Sequence, residues 1–196
     1  DIRGSVLSHA RNFGGQSAYT TGLKYCTGDA AICLDGDIQD PPELFPELVK
    51  KWNEGYDVVY GERIRRKGNW FWRLCYKIFY RIFKKMAYLN IPLDASDFGL
   101  MSRRVINAIN AMPENDRYIR GLRAWVGYKS IGIPYTRAER FSGVSNNSFL
   151  WSVTWAKRLI LSFSYKPLEW ISYMAGFMVV VSAITIVAII IAHFVL

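Results

Sequence analysis

Histidine is almost absent from this chain of 196 residues, with only His9 and His193, and His193 sits in an apolar tail. A Ser-His-Asp triad or a His-rich metal site would rest on His9 alone, so both chemistries are set aside. Cysteine is scarce as well. Cys26, Cys33 and Cys75 are odd in number and include no C-x-x-C pair, which supports neither a disulfide framework nor a zinc ribbon and favours a reducing compartment. No Walker A pattern and no G-x-G-x-x-G occurs, so a P-loop or dinucleotide fingerprint does not explain any phosphate chemistry. Internal repeats and low-complexity tracts are missing too. What remains, 51% hydrophobic and 21% charged, is a globular composition with enough length for one sizeable core.

Charge is missing in two places, and each absence is informative. After Glu169 no charged residue follows, apart from a proton that His193 could take up. Ile171 to Leu196 would span roughly 39 Å as a helix, against a hydrocarbon core of about 30 Å. The pattern predicts one transmembrane helix, with 170–196 as its domain and 146–169 as a juxtamembrane segment. Its position excludes a secretory signal. Lys157, Arg158 and Lys166 precede it, and positive charge on a flank holds that flank in the cytoplasm. A membrane-bound protein with a cytoplasmic head is the expectation.

Between Arg63 and Leu93 no acidic residue occurs. Arg63, Arg65, Arg66, Lys67, Arg73, Lys77, Arg81, Lys84 and Lys85 together match the whole net charge of +9. Arg73, Lys77 and Arg81 recur at i+4, while Phe71, Leu74, Ile78, Phe79, Ile82 and Phe83 occupy the other positions. This reads as an amphipathic basic helix within 63–90, suited to the headgroup region of an anionic bilayer. Basic residues interleaved with aromatics would also suit RNA, and a solvated helix with one core face is the plain alternative. A chain tied to a membrane favours lipid, so the expected partners include a bilayer and no nucleic acid; a homo-oligomer is left open.

The rest of the head, 1–145, alternates strand and helix. Ser5 to Ser8 reads as a short strand, Gln16 to Cys26 as a helix and Ala30 to Leu34 as a buried strand. In Asp40-Pro41-Pro42-Glu43, Asp40 is expected to cap the next helix, with Glu43 completing a capping box. That helix runs to Asn53, stops at Gly55 and gives way to a strand over Asp57 to Tyr60. Strand, helix, strand with short links predicts an α/β domain with a right-handed crossover and a parallel sheet.

The strongest chemical signal follows the strand ending at Leu34. Asp35-Gly36-Asp37 places two carboxylates at the carboxyl edge of a buried strand, where open α/β sheets bind ligands. With Gln39 they offer hard oxygen ligands for Mg²⁺ or Mn²⁺, an ion that takes further ligands from substrate phosphates. A nucleotide diphosphate is the natural substrate for such a site. Acidic pairs also simply occupy turns, and that reading stays open on these residues alone.

A wider set of motifs accompanies this one: Arg11-Asn12-Phe13-Gly14, Leu34-Asp35-Gly36-Asp37-Ile38-Gln39-Asp40-Pro41-Pro42-Glu43, and Gly55-Tyr56-Asp57-Val58-Val59-Tyr60-Gly61-Glu62-Arg63. Then come Ser96-Asp97-Phe98-Gly99-Leu100-Met101, Arg117-Tyr118-Ile119-Arg120-Gly121-Leu122 with Trp125, and Glu139-Arg140-Phe141-Ser142-Gly143-Val144-Ser145. In order and spacing the chain resembles the family 2 glycosyltransferases of the dolichyl-phosphate mannose synthase and polyprenyl-phosphate (bactoprenol) glucosyltransferase group. The resemblance implies a GT-A, Rossmann-like nucleotide-sugar-binding fold and inverting transfer of a hexose to a polyprenyl phosphate. UDP-glucose or GDP-mannose is the implied donor, and membrane helices follow the catalytic domain. It also implies that Asp35, Asp37 and Gln39 form the metal site and that Asp35, Arg140 and Arg11 bind the donor. Arg63 and Arg73 are the implied ligands of the lipid phosphate, and Asp97 is the acidic group near the reacting carbon, catalytic together with Asp37.

A phosphate monoester has a second pKa of about 6 and is mostly dianionic at neutral pH, so it can attack without a base. Asp97 then serves more naturally to orient the sugar or basic residues than as an obligatory proton acceptor, although a base there stays open. Arg117 and Arg120, read as i, i+3 on one helix, are candidates for the acceptor phosphate or for ion pairs with Glu114 and Asp116. Departures from the family are visible. Its opening strand is lacking, Asn146-Asn147 stand where Lys-Tyr is common, and a second membrane helix would lie beyond Leu196, so the expectation is a piece of a longer enzyme. Two other classes remain: a processive polysaccharide synthase fragment, although no Gln-x-x-Arg-Trp motif is present, and a catalytically silent membrane tether.

Overall fold

The computed structural model describes residues 4–37, 39–64, 81, 86, 92, 95–115, 117–138 and 149–195. Helix α1 (Gly15–Tyr25) leads into strand β1 (Ala30–Cys33). A 3₁₀ turn (Pro42–Leu44) opens into α2 (Phe45–Asn53), which Gly55 ends at φ +90°, its N–H donating to the Trp52 carbonyl. Then follow β2 (Val58–Arg63), β3 (Ala95–Ser102), α3 (Arg103–Asn110), α4 (Ile119–Trp125) and β4 (Ser130–Tyr135). Two further helices, α5 (Phe149–Phe163) and α6 (Lys166–Val195), complete the order.

The sheet is mixed, with strand order β1-β3-β2-β4. β1 and β2 run in the same direction, as the strand-helix-strand pattern requires, but they are not neighbours: β3 lies between them, antiparallel to both. Only β2 and β4 pair in parallel. The expectation of a purely parallel sheet is therefore corrected. Gly99 makes the insertion possible. It faces Cys33 on one side and Tyr60 on the other, and a Cβ there would lie 2.4 Å from the Val59 carbonyl oxygen.

Alternation along the central strands feeds two apolar layers. Val58 and Met101 face α1, α3 and α4, packing with Leu23, Val105, Ile106, Ile109, Ile119 and Leu122. Val59, Phe98 and Leu100 face the other way, with Leu48 of α2, Ile133 and Tyr135. A carboxylate is buried beside the first layer: Asp57 accepts from the Ser102 hydroxyl and from the Arg104 guanidinium, which ties β2 to the start of α3. Such a buried carboxylate is tolerable because each oxygen has a donor.

Three further expectations are corrected. Ser5 to Ser8 forms no strand; Val6 is 96% exposed, and no neighbouring strand among the described residues accepts its backbone. Asp40 does not cap α2, whose amino end has no side-chain cap, and the carboxylate is instead bound by groups from β4 and beyond. Arg117 precedes α4 rather than sharing it with Arg120. The amphipathic helix expected within 63–90 lies largely outside the described residues; Arg81 and Met86 are described, both helical, with Arg81 exposed and Met86 buried.

α5 is seated on the head at its carboxyl end. The Phe163 ring lies against Gly121 of α4, where an added Cβ would be 2.1 Å from it, and 6.1 Å from the Tyr118 ring. α6 is different. It is 30 residues long, apolar enough to cross a membrane, and none of its apolar window is covered by the rest of the chain.

Gly99→Ala should lower stability by about 1–3 kcal/mol, since β3 must shift away from Val59. Urea titration of the detergent-solubilised chain by circular dichroism checks this; an unchanged midpoint would mean that β3 is not held so closely.

Candidate active site

Topology brings chemistry to one edge of the sheet. β1, β2 and β4 end at this edge and the antiparallel β3 begins there, so the turn after Cys33, the last residue of β2, the third residue of β3 and the loop after Tyr135 meet. Asp35 and Asp37 come from the first, Arg63 from the second, Asp97 from the third and Arg137 from the fourth. The helix α1 lies alongside, adding Gln16 and Tyr19.

Arg137 stands at the centre. Its Nη2 lies 3.3 Å from Oδ2 of Asp35 and 3.3 Å from Oδ2 of Asp37, and its Nε is 3.3 Å from Oδ1 of Asp40. Asp40 is only 1% exposed and also accepts from the Tyr135 hydroxyl, which in turn accepts a hydrogen bond of 3.3 Å from Nε of Arg63. The Tyr19 hydroxyl donates to Oδ1 of Asp35 at 2.5 Å. Gln39 joins the loops after β1 and β4: its Nε2 donates to the Ala138 carbonyl at 3.1 Å, and Ala138 N–H returns a bond to the Gln39 carbonyl at 3.0 Å. Its own N–H reaches Oδ1 of Asp37 at 3.3 Å.

Asp97 forms a second centre. Arg120 grips it with two bonds, Nε to Oδ1 at 3.1 Å and Nη2 to Oδ2 at 3.2 Å, the fork geometry that suits guanidinium and carboxylate. Gln16 donates to Oδ2 at 3.3 Å while its Oε1 accepts the Ile119 N–H at 2.8 Å, so one side chain links α1, Asp97 and the start of α4. Arg120, a candidate for the acceptor phosphate or for local ion pairs, thus pairs with Asp97. Arg117 donates to the Ile109 carbonyl at the end of α3. Arg11 lies before α1, its guanidinium 4.6 Å from the Phe13 ring centroid. Arg73 and Arg140 are outside the described residues.

Burial governs titration around this edge. The Cys33 thiol, under the sheet edge, is pushed up to about 12 by desolvation, so at neutral pH it is an un-ionised core group and no nucleophile. Desolvation, reinforced by the bond to Asp35, pushes the Tyr19 phenol up as well, and Tyr135 is raised by burial and then by its bond to Asp40.

The donor set suits a hard divalent ion. One oxygen of Asp35 and one of Asp37 are equidistant from a single nitrogen, so both carboxylates converge on one cation position. Among the described residues no group of three His, Cys, Asp or Glu is assembled there.

Arg137, Tyr19 and Tyr135 were not among the residues singled out from sequence, and Asp40 was read as a helix cap alone. Arg137 stands three residues before Arg140 and two after an apolar alternation, and that is the signal a reader expecting β4 would have used.

An acidic pair after the first strand and a further acid on the antiparallel strand beside it thus lie at one edge of a mixed α/β sheet. The glycosyl transferase family 2 model matches residues 1–109, and the chain belongs to that family. It is 40% identical over 174 residues to the uncharacterized glycosyltransferase YkcC of Bacillus subtilis strain 168, covering 88% of this chain and 54% of the relative. It is also 38% identical over 181 residues to a bactoprenol glucosyl transferase of Shigella phage SfV, covering 90% and 58%. A prophage bactoprenol glucosyl transferase homolog of Escherichia coli K12 is 40% identical over 173 residues, covering 86% and 55%. The chain thus spans about half the length of the curated relatives it matches.

The raised phenols and thiol give stability a definite pH dependence. In the unfolded chain these groups ionise from about pH 9 to 10, whereas the fold keeps them neutral, so their contribution is complete below that range and is lost progressively from there up to the raised values of the fold, about 12 for Cys33. Urea midpoints should hold from pH 7 to about 9 and fall above, and Tyr19→Phe should make that fall shallower; an equally steep fall would show that Tyr19 ionises freely in the fold.

Proposed function

We propose that the protein transfers a hexosyl group from a nucleotide diphosphate sugar to a polyprenyl phosphate at the cytoplasmic face of a membrane, with inversion. The observation that carries the reading is the convergence of Asp35, Asp37, Asp97, Arg63 and Arg137 on one sheet edge in a family 2 chain. Relatives named for bactoprenol glucosyl transfer support the acceptor class. Support for the membrane comes from α6, whose 30 residues reach roughly 45 Å and whose apolar window the rest of the chain leaves uncovered. Lys157 and Lys166 on its head side favour the cytoplasmic orientation.

In this reading a phosphate oxygen of the acceptor bonds to the anomeric carbon as the bond from that carbon to the diphosphate oxygen breaks, and the nucleoside diphosphate leaves. The acceptor is already dianionic and needs no base. Asp97 is held by Arg120 and Gln16 from two sides, an arrangement suited to orienting a sugar hydroxyl or Arg120 itself. Arg63, steadied by Tyr135, and Arg120 are the acceptor-phosphate contacts at this edge, with Arg73 a further contact by resemblance. Arg117, committed to the Ile109 carbonyl, is assigned to holding α3. Asp35 and Asp37 would hold Mg²⁺ or Mn²⁺, with Gln39 setting the turn between them and the β4 loop. When bound, such an ion supplies charge neutralisation for the leaving diphosphate. Arg140 and Arg11 complete the donor side in the same reading, with UDP-glucose and GDP-mannose as the donors to try.

The test uses the protein in membranes with Mn²⁺ or Mg²⁺, radiolabelled UDP-glucose and GDP-mannose in parallel, and undecaprenyl or dolichyl phosphate. Label should pass into an acid-labile, organic-extractable lipid. Asp37→Ala should lower that rate by about a thousandfold with the circular dichroism spectrum unchanged, and Asp97→Asn should also lower it. Full turnover by Asp37→Ala would refute the metal assignment.

A further inference from the structure

Resting on that reading of the Asp35/Asp37 pair, we propose that Arg137 is the pair's internal counter-cation, and that a divalent ion binds only by displacing it. The geometry is a direct overlap of positions. Nη2 of Arg137 sits 3.3 Å from one oxygen of each carboxylate, the position from which a compact ion would also reach both. A Mg²⁺-sized ion needs oxygen distances of about 2.0–2.1 Å. Inserted there, it would lie against the guanidinium, and two cations in contact repel each other strongly enough that one must give up the position between Asp35 and Asp37.

The chain gives Arg137 a reason to be there and a place to withdraw to. Without a cation, two carboxylates aimed at one point repel each other, and the Tyr19 hydroxyl on Asp35 and the Gln39 N–H on Asp37 are neutral donors. Arg137 stabilises the pair between catalytic cycles. Its Nε contact with the buried Asp40 is a separate tether on the β1 side of the loop, so releasing Asp35 and Asp37 does not require the side chain to leave the site. With about a quarter of the side chain exposed, the guanidinium has room to turn. Once displaced, its charge stands beside the position where a diphosphate held by the same ion would lie. Arg137 is accordingly a positioning residue: it acts through the state of Asp35 and Asp37.

The experiment measures Mn²⁺ alone, without nucleotide, on the whole detergent-solubilised chain by the loss of free Mn²⁺ signal in electron paramagnetic resonance. Arg137→Gln should bind Mn²⁺ about tenfold more tightly than wild type or better, because the competing charge is gone. Arg137→Lys keeps the charge and should stay near the wild-type value, while Asp37→Asn, alone or combined with Arg137→Gln, should lose binding. If Arg137→Gln binds no more tightly than wild type while Asp37→Asn still abolishes binding, the displacement proposal falls and the metal assignment stands. If no variant binds Mn²⁺, both fall. Should Arg137→Gln fail to fold because Asp40 loses a partner, a wild-type measurement decides. Phenylglyoxal modification at Arg137, followed by peptide mass spectrometry, should be faster with Mn²⁺ present; an unchanged or slower rate would overturn the proposal.

Discussion

The antiparallel seating of β3 between β1 and β2 is the constraint on which the candidate site depends. A strand entering from the opposite direction presents its first residues where its neighbours present their last. Asp97, third in β3, therefore arrives beside the turn that carries Asp35 and Asp37, although the two segments are distant in sequence. Had the sheet been purely parallel, the same aspartate would have stood at the far edge. The cost of this arrangement is steric, since the β2 backbone at Val59 and Tyr60 passes Gly99 too closely for a side chain there.

A second level of organisation locks the loops that leave this edge. Gln39 and Ala138 exchange hydrogen bonds, and Tyr135 and Arg137 both reach the buried Asp40. The loop after β1 is thus closed onto the loop after β4, across a sheet in which their strands are the two outer members. A carboxylate with 1% exposure would be a liability on its own; here it is the keystone to which an aromatic hydroxyl and a guanidinium are anchored.

Much of the local structure could be read from the chain. The apolar run at Ala30 and the glycine at Gly55 mark β1 and the end of α2 to within a residue, because both signals are local. The same local reading failed wherever a distant partner decided the outcome. Asp40 satisfies every rule for a helix cap, yet its hydroxyl partner is 95 residues away. Sheet order eluded the pattern because β3 follows a long basic stretch and inserts between strands that are neighbours in sequence. Arg137 went unnoticed for a related reason: without β4 in view, nothing aimed its side chain at the acidic pair. The acidic pair itself was legible because two carboxylates around a glycine, just past a buried strand, are a local arrangement.

The contact between Phe163 and Gly121 carries one more consequence. α4 bears Arg120 and accepts the end of α5 at the very next residue, Gly121, and only Ser164 and Tyr165 separate α5 from the long apolar helix. The ring pressed into the glycine notch works as a mechanical spacer. In the proposed reading it couples the height of α6 in a two-dimensional fluid to the height of the edge that carries Asp97, so a bulky residue at 121 would shift α5 without replacing any group at that edge.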